Sequence, residues 1–476
     1  MAVQAGVAEH PAKISRQILA PLALAQFICS FAGSNMNVMI TDISNDLNTS
    51  VQGVQISITL FLLVMAALMI PGGKLTDRYG RKRCFMAGLI VYAVGAIMSA
   101  AAPGLGVLIL GNSILEGVGT ALLIPPVYIL TTMLVTDLTA RAQAFGVIMA
   151  AGGLGSAAGP LIGGLISTAI SWRAAFSFQA LVIAVIILLS ARITDPFPPD
   201  KTRRFDVWGA VLSAVGLVLV VMGILAACSN LWLTLGLIAG GALVLFWFLL
   251  WVRRQEREGI EPLISTALFR EKVSNLGMIT QNLQWLILLG ASFTVATYLQ
   301  VVRGYNSIQT GVIFTAATVG VLAASLRAEP LSKRFSQRNL IMAGFGVTVA
   351  GIGVLIGMVI GFPGPWAFAP GLLLIGIGIG LMLTPSVNLV QGAFPEALQG
   401  EISGLSRSVS NLGSSLGTAI AGTILVAGLS RGGYGAAMVV LGVVGVAGFV
   451  VAALLPRNKP SSARSPETGD PLEPRL

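Results

Sequence analysis

One histidine, His10, and three cysteines, Cys29, Cys84 and Cys228, are all that 476 residues offer for ligand or thiol chemistry. The histidine sits in a polar N-terminal tail. The cysteines lie within or at the ends of apolar runs, without pairing or ligand spacing, so no metal site and no disulfide framework is expected. Charge is scarce too, at 10% of residues. No phosphate-binding loop ending in Gly-Lys-Ser/Thr occurs, which argues against ATP drive. No nucleophile–base set is visible, so the chain does not read as an enzyme and no cofactor is expected.

What fills the space is apolar. Hydrophobic residues make up 55% of the chain, 57 residues are glycine, and mean hydropathy is +0.87. Abundant glycine fits close helix packing in lipid. Because one crossing takes about 20 apolar residues, the chain has room for a dozen or more. A formal charge of +10 would suggest nucleic acid in a soluble protein. Here the basic residues sit in short loops between apolar runs, so the positive-inside rule explains them and no nucleic-acid partner is expected. The first long apolar run starts after Arg16 and is of spanning length, so no cleavable signal peptide is expected.

Uncharged runs and turn residues place fourteen spans in an all-α integral membrane protein. The first six cover 17–41, 51–72, 84–102, 107–132, a stretch within 141–172, and 174–191. Residues 207–252 carry no charge and are too long for one crossing; Ser229-Asn230 divides them into spans seven and eight. The others cover 273–302, 308–326, two spans within 339–395 split at Pro363-Gly364-Pro365, 401–429 and 435–455. Of the 29 Lys and Arg, only Arg173, Arg303 and Arg431 fall in loops on the outer side. Both termini are therefore expected in the cytoplasm and the chain in the cell membrane. Met86-Ala87-Gly88 is echoed by Met342-Ala343-Gly344. Gly117, Gly119 and Pro126 are echoed by Gly376, Gly378 and Pro385 at the same internal spacing. Two six-helix bundles with two helices inserted between them account for both count and echo. The resulting divisions are a tail at 1–16, bundles at 17–193 and 273–455, a linker with the inserted helices at 194–272, and a disordered tail at 456–476.

One stretch stands out: Gly73-Lys74-Leu75-Thr76-Asp77-Arg78-Tyr79-Gly80-Arg81-Lys82-Arg83 puts six charges in eleven residues, between runs that have none. Topology needs positive charges there; it does not need an aspartate or two glycines. Gly73-x-Leu75-x-Asp77-Arg78-x-Gly80-Arg81-Lys82 resembles the signature loop between helices 2 and 3 of the major facilitator superfamily. Gly155-x-x-x-Gly159-Pro160-x-x-Gly163-Gly164 is similar to the antiporter motif of its exporters. Ser171-Trp172-Arg173 with Phe176, Phe205-Asp206-x-x-Gly209, Glu261-Pro262-Leu263 and Leu268-Phe269-Arg270 resemble the fourteen-helix drug:proton antiporter branch. The likeness runs from about residue 20 to 455.

The resemblance implies that the loop is a conformational latch, with Asp77 accepting charge-assisted bonds from Arg141 or facing a helix N-terminus. It also departs from the branch. Ala32 and Thr41 stand where the first helix usually carries an aspartate and a proline. Ser113-x-x-Glu116-Gly117 stands where the fourth usually carries Arg-x-x-Gln-Gly, so the arginine implicated in coupling is missing and a carboxylate lies one turn away.

Glu116 is the one carboxylate deep inside an apolar run. Such residues default to function, here as a proton carrier; the alternative is a neutral carboxyl bonding across helices to Asn112 or Ser113. The glycines of the fifth span are a packing seam with a kink at Pro160, and such a seam between halves could also limit leakage. Arg407 could balance Glu116 or a substrate anion, or snorkel to the surface. Asn35, Asn37, Asn112, Ser113, Gln281, Asn282, Gln284, Trp285, Tyr298, Asn388 and Arg407 are candidates to line a substrate path. The expected function is proton-driven antiport of hydrophobic or amphipathic small molecules, as in multidrug efflux and antibiotic resistance. Its partners are a small-molecule substrate, protons and the bilayer. Alternatives are a specific exporter of one metabolite or lipid-like compound and a non-transporting membrane sensor or scaffold.

Overall fold

The computed structural model describes residues 16–456 except 136–137, 192, 194, 196–204, 228–229, 362–363 and 395–397. The expected terminal tail, His10 and Cys228 fall outside the described residues. Every long element among them is a helix, as a segment in hydrocarbon must satisfy its own backbone. In chain order these are α1 Arg16–Asn35, α2 Val51–Tyr79, α3 Arg81–Ala100, α4 Leu105–Leu134, α5 Leu138–Ala169, α6 Trp172–Ser190, α7 Val207–Leu225 and α8 Leu231–Arg257. The second half holds α9 Lys272–Val302, α10 Ser307–Arg334, α11 Gln337–Gly361, α12 Ala369–Gln391, α13 Gln399–Ala427 and α14 Arg431–Ala453. Thirteen are straight enough to count as one span each. α5, bent by 42° between Ser156 and Ala158, makes fourteen. Pro160 explains the bend, because it withholds the N–H that would bond back to residue 156 and crowds that carbonyl.

Two apolar cores fill two bundles, α1–α6 around Phe31, Tyr92 and Phe176, and α9–α14 around Phe345, Tyr298 and Tyr434. The inserted α7 packs Val221 and Leu225 against Leu63 of α2 and Ala419 of α13, so it covers the line where the bundles meet. Asp206 caps α7 by accepting from Gly209 N at 2.8 Å and holds α8 through Trp251 Nε1 at 3.1 Å. Residues Phe205-Asp206-x-x-Gly209 are thereby a helix start.

Within each bundle the tightest contacts are backbone to backbone. A Cβ on Gly88 would strike the Gly119 carbonyl, and one on Gly95 the Gly111 carbonyl. In the second bundle Gly344 and Gly351 meet the carbonyls of Gly378 and Gly371 in the same way. The sequence echo is therefore a repeated seam, α3 on α4 and α11 on α12.

The basic stretch needs a correction. Expected as a loop from Gly73 to Arg83, it is helix on both sides of one residue. α2 continues to Tyr79, α3 starts at Arg81, and Gly80 turns the chain at φ 98°. That backbone angle is why position 80 is glycine. Gly73 makes no close approach; its neighbour Gly72 does, against the Ala121 carbonyl. The end of α10, the second bundle's counterpart of that stretch, is likewise helical to Arg334, and the Glu329 and Lys333 side chains lie outside the described residues.

Gly88→Val should destabilise the protein by about 1–3 kcal/mol, the usual cost of overpacking, whereas Gly346→Val, with nothing within 4 Å, should be neutral. Thermal midpoints of the detergent-solubilised proteins check this; equal midpoints would mean the seam is not tightly packed.

Candidate functional site

Glu116 ends a π-helical segment, Ile109–Glu116, within α4. Segments of this kind carry one residue more than the surrounding helix and rotate the turns beyond them. The carboxyl is fully enclosed. It faces α3, where Ser99 Oγ lies 3.3 Å from Oε1, while Oε2 has no hydrogen-bond partner among the described residues. The partners expected for it point elsewhere: Ser113 Oγ donates to the Ser57 carbonyl at 2.8 Å and Asn112 Nδ2 reaches Ser57 Oγ at 3.4 Å, both on α2. Asn112 and Ser113 thus join α4 to α2, and Glu116 joins it to α3.

At the basic end the cross-bundle contact runs through Lys74. Its ammonium lies 2.7 Å from Glu401 of α13 and 2.6 Å from Glu261, on the segment after the inserted helices. Leu263, two residues on, is buried against Ala210, Phe248 and Val252, which seats Glu261 there. The other latch candidates work inside the first bundle. Asp77 pairs with Arg81 one turn on, at 3.3 Å. Lys82 closes the end of α6, donating through Nζ to the Ala191 carbonyl at 2.9 Å and through its backbone N–H to Asp195 at 3.2 Å. Arg78 lies over the Tyr79 ring. The Arg141 side chain lies outside the described residues.

The α5 motif serves two neighbours. Gly155, Gly159 and Gly163 face α1, where a Cβ would meet the Phe27 carbonyl, Ser34 and Asn35 respectively. Gly164 and Pro160 face α10: a Cβ on Gly164 would meet the Ser307 carbonyl, and one on Gly311 the Pro160 carbonyl. The motif is both an internal seam and a cross-bundle contact.

The family model described as Major Facilitator Superfamily matches residues 22–234 and 190–418. The chain belongs to the major facilitator superfamily. It is 30% identical over 416 residues to the puromycin resistance protein pur8 of Streptomyces alboniger, a match covering 85% of this chain and 81% of that one. It is 26% identical over 419 residues to the multidrug efflux pump LfrA of Mycolicibacterium smegmatis, covering 86% and 80%. With the cephamycin export protein CmcT of Amycolatopsis lactamdurans it shares 28% over 475 residues, covering 94% and 92%. A solved structure of the nucleoside transporter NupG has the same fold, with TM-score 0.62 at 14% identity over 92% of this chain and 99% of that one. As a superfamily member the protein is a multi-pass membrane transporter of small molecules and not an enzyme.

For a major facilitator protein the question is what lies between the bundles. Trp285 of α9 packs on the core of the first bundle. Arg407 of α13 donates to the Tyr128 hydroxyl of α4 at 3.0 Å, so it neither snorkels nor touches Glu116. Asn35 is fully enclosed with its whole carboxamide unpartnered among the described residues, and Asn37 Oδ1 is unpartnered too. Buried amides are nearly always satisfied, which makes these two the strongest candidates for contact with a ligand. Other path candidates bond within the second bundle: Gln281 to Ser406, Gln284 to Ser386, and Asn282 to the Val409 carbonyl. Tyr298 is core, against Tyr434 and Phe368. Asn388 is exposed.

Several cross-bundle residues escaped the sequence analysis. Opposite the basic end, Asp42 accepts from Ser167 of α5 and, at 2.5 Å, from Ser307 of α10. Gln300 there donates to the Asn37 carbonyl at 2.8 Å and accepts from Thr41 N at 3.2 Å. Along α13, Glu401, Ser408, Ser415 and Gly422 recur every seven residues, and all face α2. Ser408 donates to the Ala66 carbonyl, Ser415 to the Thr59 carbonyl, and Gly422 meets Gln55. That spacing, two turns of one helix face, was a signal available in the sequence.

In a chain otherwise free of cysteine, Ser408→Cys should label slowly with a membrane-impermeant maleimide supplied at the basic end. Adding Lys74→Ala should raise that rate several-fold. An unchanged rate would show that the basic end does not depend on Lys74.

Proposed function

We propose that the protein is a proton-coupled exporter of hydrophobic or amphipathic small molecules, working by alternating access without ATP. In this reading it resides in the cell membrane with both termini in the cytoplasm, where the positive-inside rule puts its basic end. The observation that carries the reading is Glu116, a carboxyl wholly enclosed inside a bundle with one oxygen unpartnered among the described residues. Holding an ionised carboxylate there is costly, so the site favours a group that cycles between protonated and ionised forms as the bundles move. Clasps at opposite ends, Lys74 with Glu401 and Asp42 with Ser307, are what alternate opening needs. Asp77, Arg78, Gly80, Arg81 and Lys82 set the α2–α3 corner that presents Lys74. Asn35, Asn37, Trp285 and Arg407 line the substrate path.

A second reading, export of one specific compound, is favoured by two observations. The branch's usual aspartate and arginine are replaced by Ala32 and Ser113. The relatives pur8 and CmcT are named for single antibiotics, whereas LfrA is named a multidrug pump. Uptake of a panel of unrelated lipophilic cations and neutral antibiotics into inside-out proteoliposomes separates the two.

In the same proteoliposomes Glu116→Gln should abolish accumulation driven by a pH gradient while leaving downhill exchange. Undiminished coupling would rule out the carrier role. Asp77→Asn should express normally and lose most transport; full activity would remove the corner from the latch.

A further inference from the structure

The two bundles are repeats of one another, so each serves as a control for the other. Gly88 and Gly95 on α3 correspond to Gly344 and Gly351 on α11, seven residues apart in both. On the facing helices the contacts are Gly111 and Gly119 on α4, eight apart, and Gly371 and Gly378 on α12, seven apart. The extra residue of α4 is absorbed by its π segment, Ile109–Glu116. With the seams in register, Gly95 approaches Glu116 N as Gly351 approaches Ile375 N. Gly111 approaches Ser99 as Gly371 approaches Leu355, and Gly119 approaches Tyr92 as Gly378 approaches Thr348. Aligning the N-caps Ser171 and Ser430 puts Gln179 of α6 opposite Met438 of α14. All eight residues are buried. The second bundle closes this site with Thr348, Leu355, Ile375 and Met438; the first builds it from Tyr92, Ser99, Glu116 and Gln179. Packing alone does not require the polar set.

Its hydrogen bonds suit a proton. The Tyr92 hydroxyl donates to Gln179 Oε1 at 2.5 Å and also faces the Glu116 carboxyl. The Ser99 hydroxyl lies 2.9 Å from the Gly95 carbonyl and 3.3 Å from Glu116 Oε1. The Ser99 hydroxyl therefore has two acceptors, one of which is Glu116; the Tyr92 hydroxyl is bonded to Gln179, with Glu116 as the alternative acceptor it faces. Among the described residues, Cys29 of α1, itself buried, is the other titratable group near Glu116.

We infer that Tyr92, Ser99 and Gln179 are positioning residues of a proton-loading site at Glu116, set inside the first bundle and apart from the substrate path. When Glu116 takes a proton from a hydronium ion, one O–H bond forms on the carboxyl as one breaks in the donor to leave water, and the two hydroxyls turn to Gln179 Oε1 and the Gly95 carbonyl. When that proton returns to water, both hydroxyls turn to the carboxylate, as charge-assisted donors. The inference rests on Glu116 as the carrier and adds how its two states are balanced.

The test is an infrared titration of the purified protein in lipid, following the carboxylic C=O band that Glu116→Gln removes. Tyr92→Phe deletes a donor to the carboxylate and should move the midpoint to higher pH by about one unit. Gln179→Leu commits the Tyr92 hydroxyl to the carboxylate and should move it to lower pH. Should Gln179→Leu misfold, Gln179→Met places there the residue of the second bundle and carries the same expectation. Opposite shifts support the inference; unmoved midpoints, or shifts in one direction, overturn it. The titration needs no transport, so that failure leaves the carrier reading to the gradient assay.

Discussion

Contact between two backbones with no side chain between them is the interaction on which both bundles depend. In lipid, apolar surface gains nothing by choosing protein over acyl chain, so helices associate where they can approach closely or bond across. The seams of α3 on α4 and α11 on α12 take the first route, with glycine beneath carbonyl at successive turns. The α2–α13 side of the line where the bundles meet takes the second, while the α5–α10 side again sets glycine on carbonyl. Gln55 donates to the Thr418 carbonyl at 3.1 Å, Ser415 to the Thr59 carbonyl at 3.1 Å, and Lys74 pairs with Glu401. The difference has a mechanical consequence. Separating a glycine seam forfeits dispersion contacts that water cannot restore, whereas a hydroxyl parted from a carbonyl can bond to water, at a net cost of about 1 kcal/mol. The bundles are built to stay whole, and the α2–α13 side of the interface is held by bonds that water can replace.

How much of this was legible depends on the physical cause behind each signal. Uncharged runs located every helix because hydrocarbon excludes charge. They misplaced the ends at Gly72 and Leu326 because charge marks where lipid stops, whereas α2 and α10 continue to Tyr79 and Arg334. Glu116 was visible as a carboxylate alone in an apolar run. Its setting was not, because Tyr92, Ser99 and Gln179 come from two other helices and each is unremarkable in its own. Lys74 was hidden differently: it occupies a variable position of a recognisable motif whose fixed positions include Asp77 and Lys82. Those hold the corner and the end of α6, and Lys74 makes the reach.

The inserted helices bear on that reach. α7 lies along the α2–α13 line, and the segment after α8 returns to the basic end and brings Glu261 to an ammonium already paired with Glu401. A twelve-helix arrangement of the same bundles would have one cross-bundle carboxylate there; this chain has two. Lys74 is mostly shielded while Glu261 is about half exposed, so the added pair is worth at most about 1 kcal/mol. A bias of that size still changes the ratio of closed to open basic ends about fivefold. Among the described residues nothing equivalent is added opposite, where Asp42 and Gln300 meet neutral partners. The insertion therefore strengthens the basic end without touching the enclosed carboxyl, and in the proposed mechanism coupling passes from Glu116 through α4, which meets α2 at Ser57 and α13 through the Tyr128–Arg407 bond.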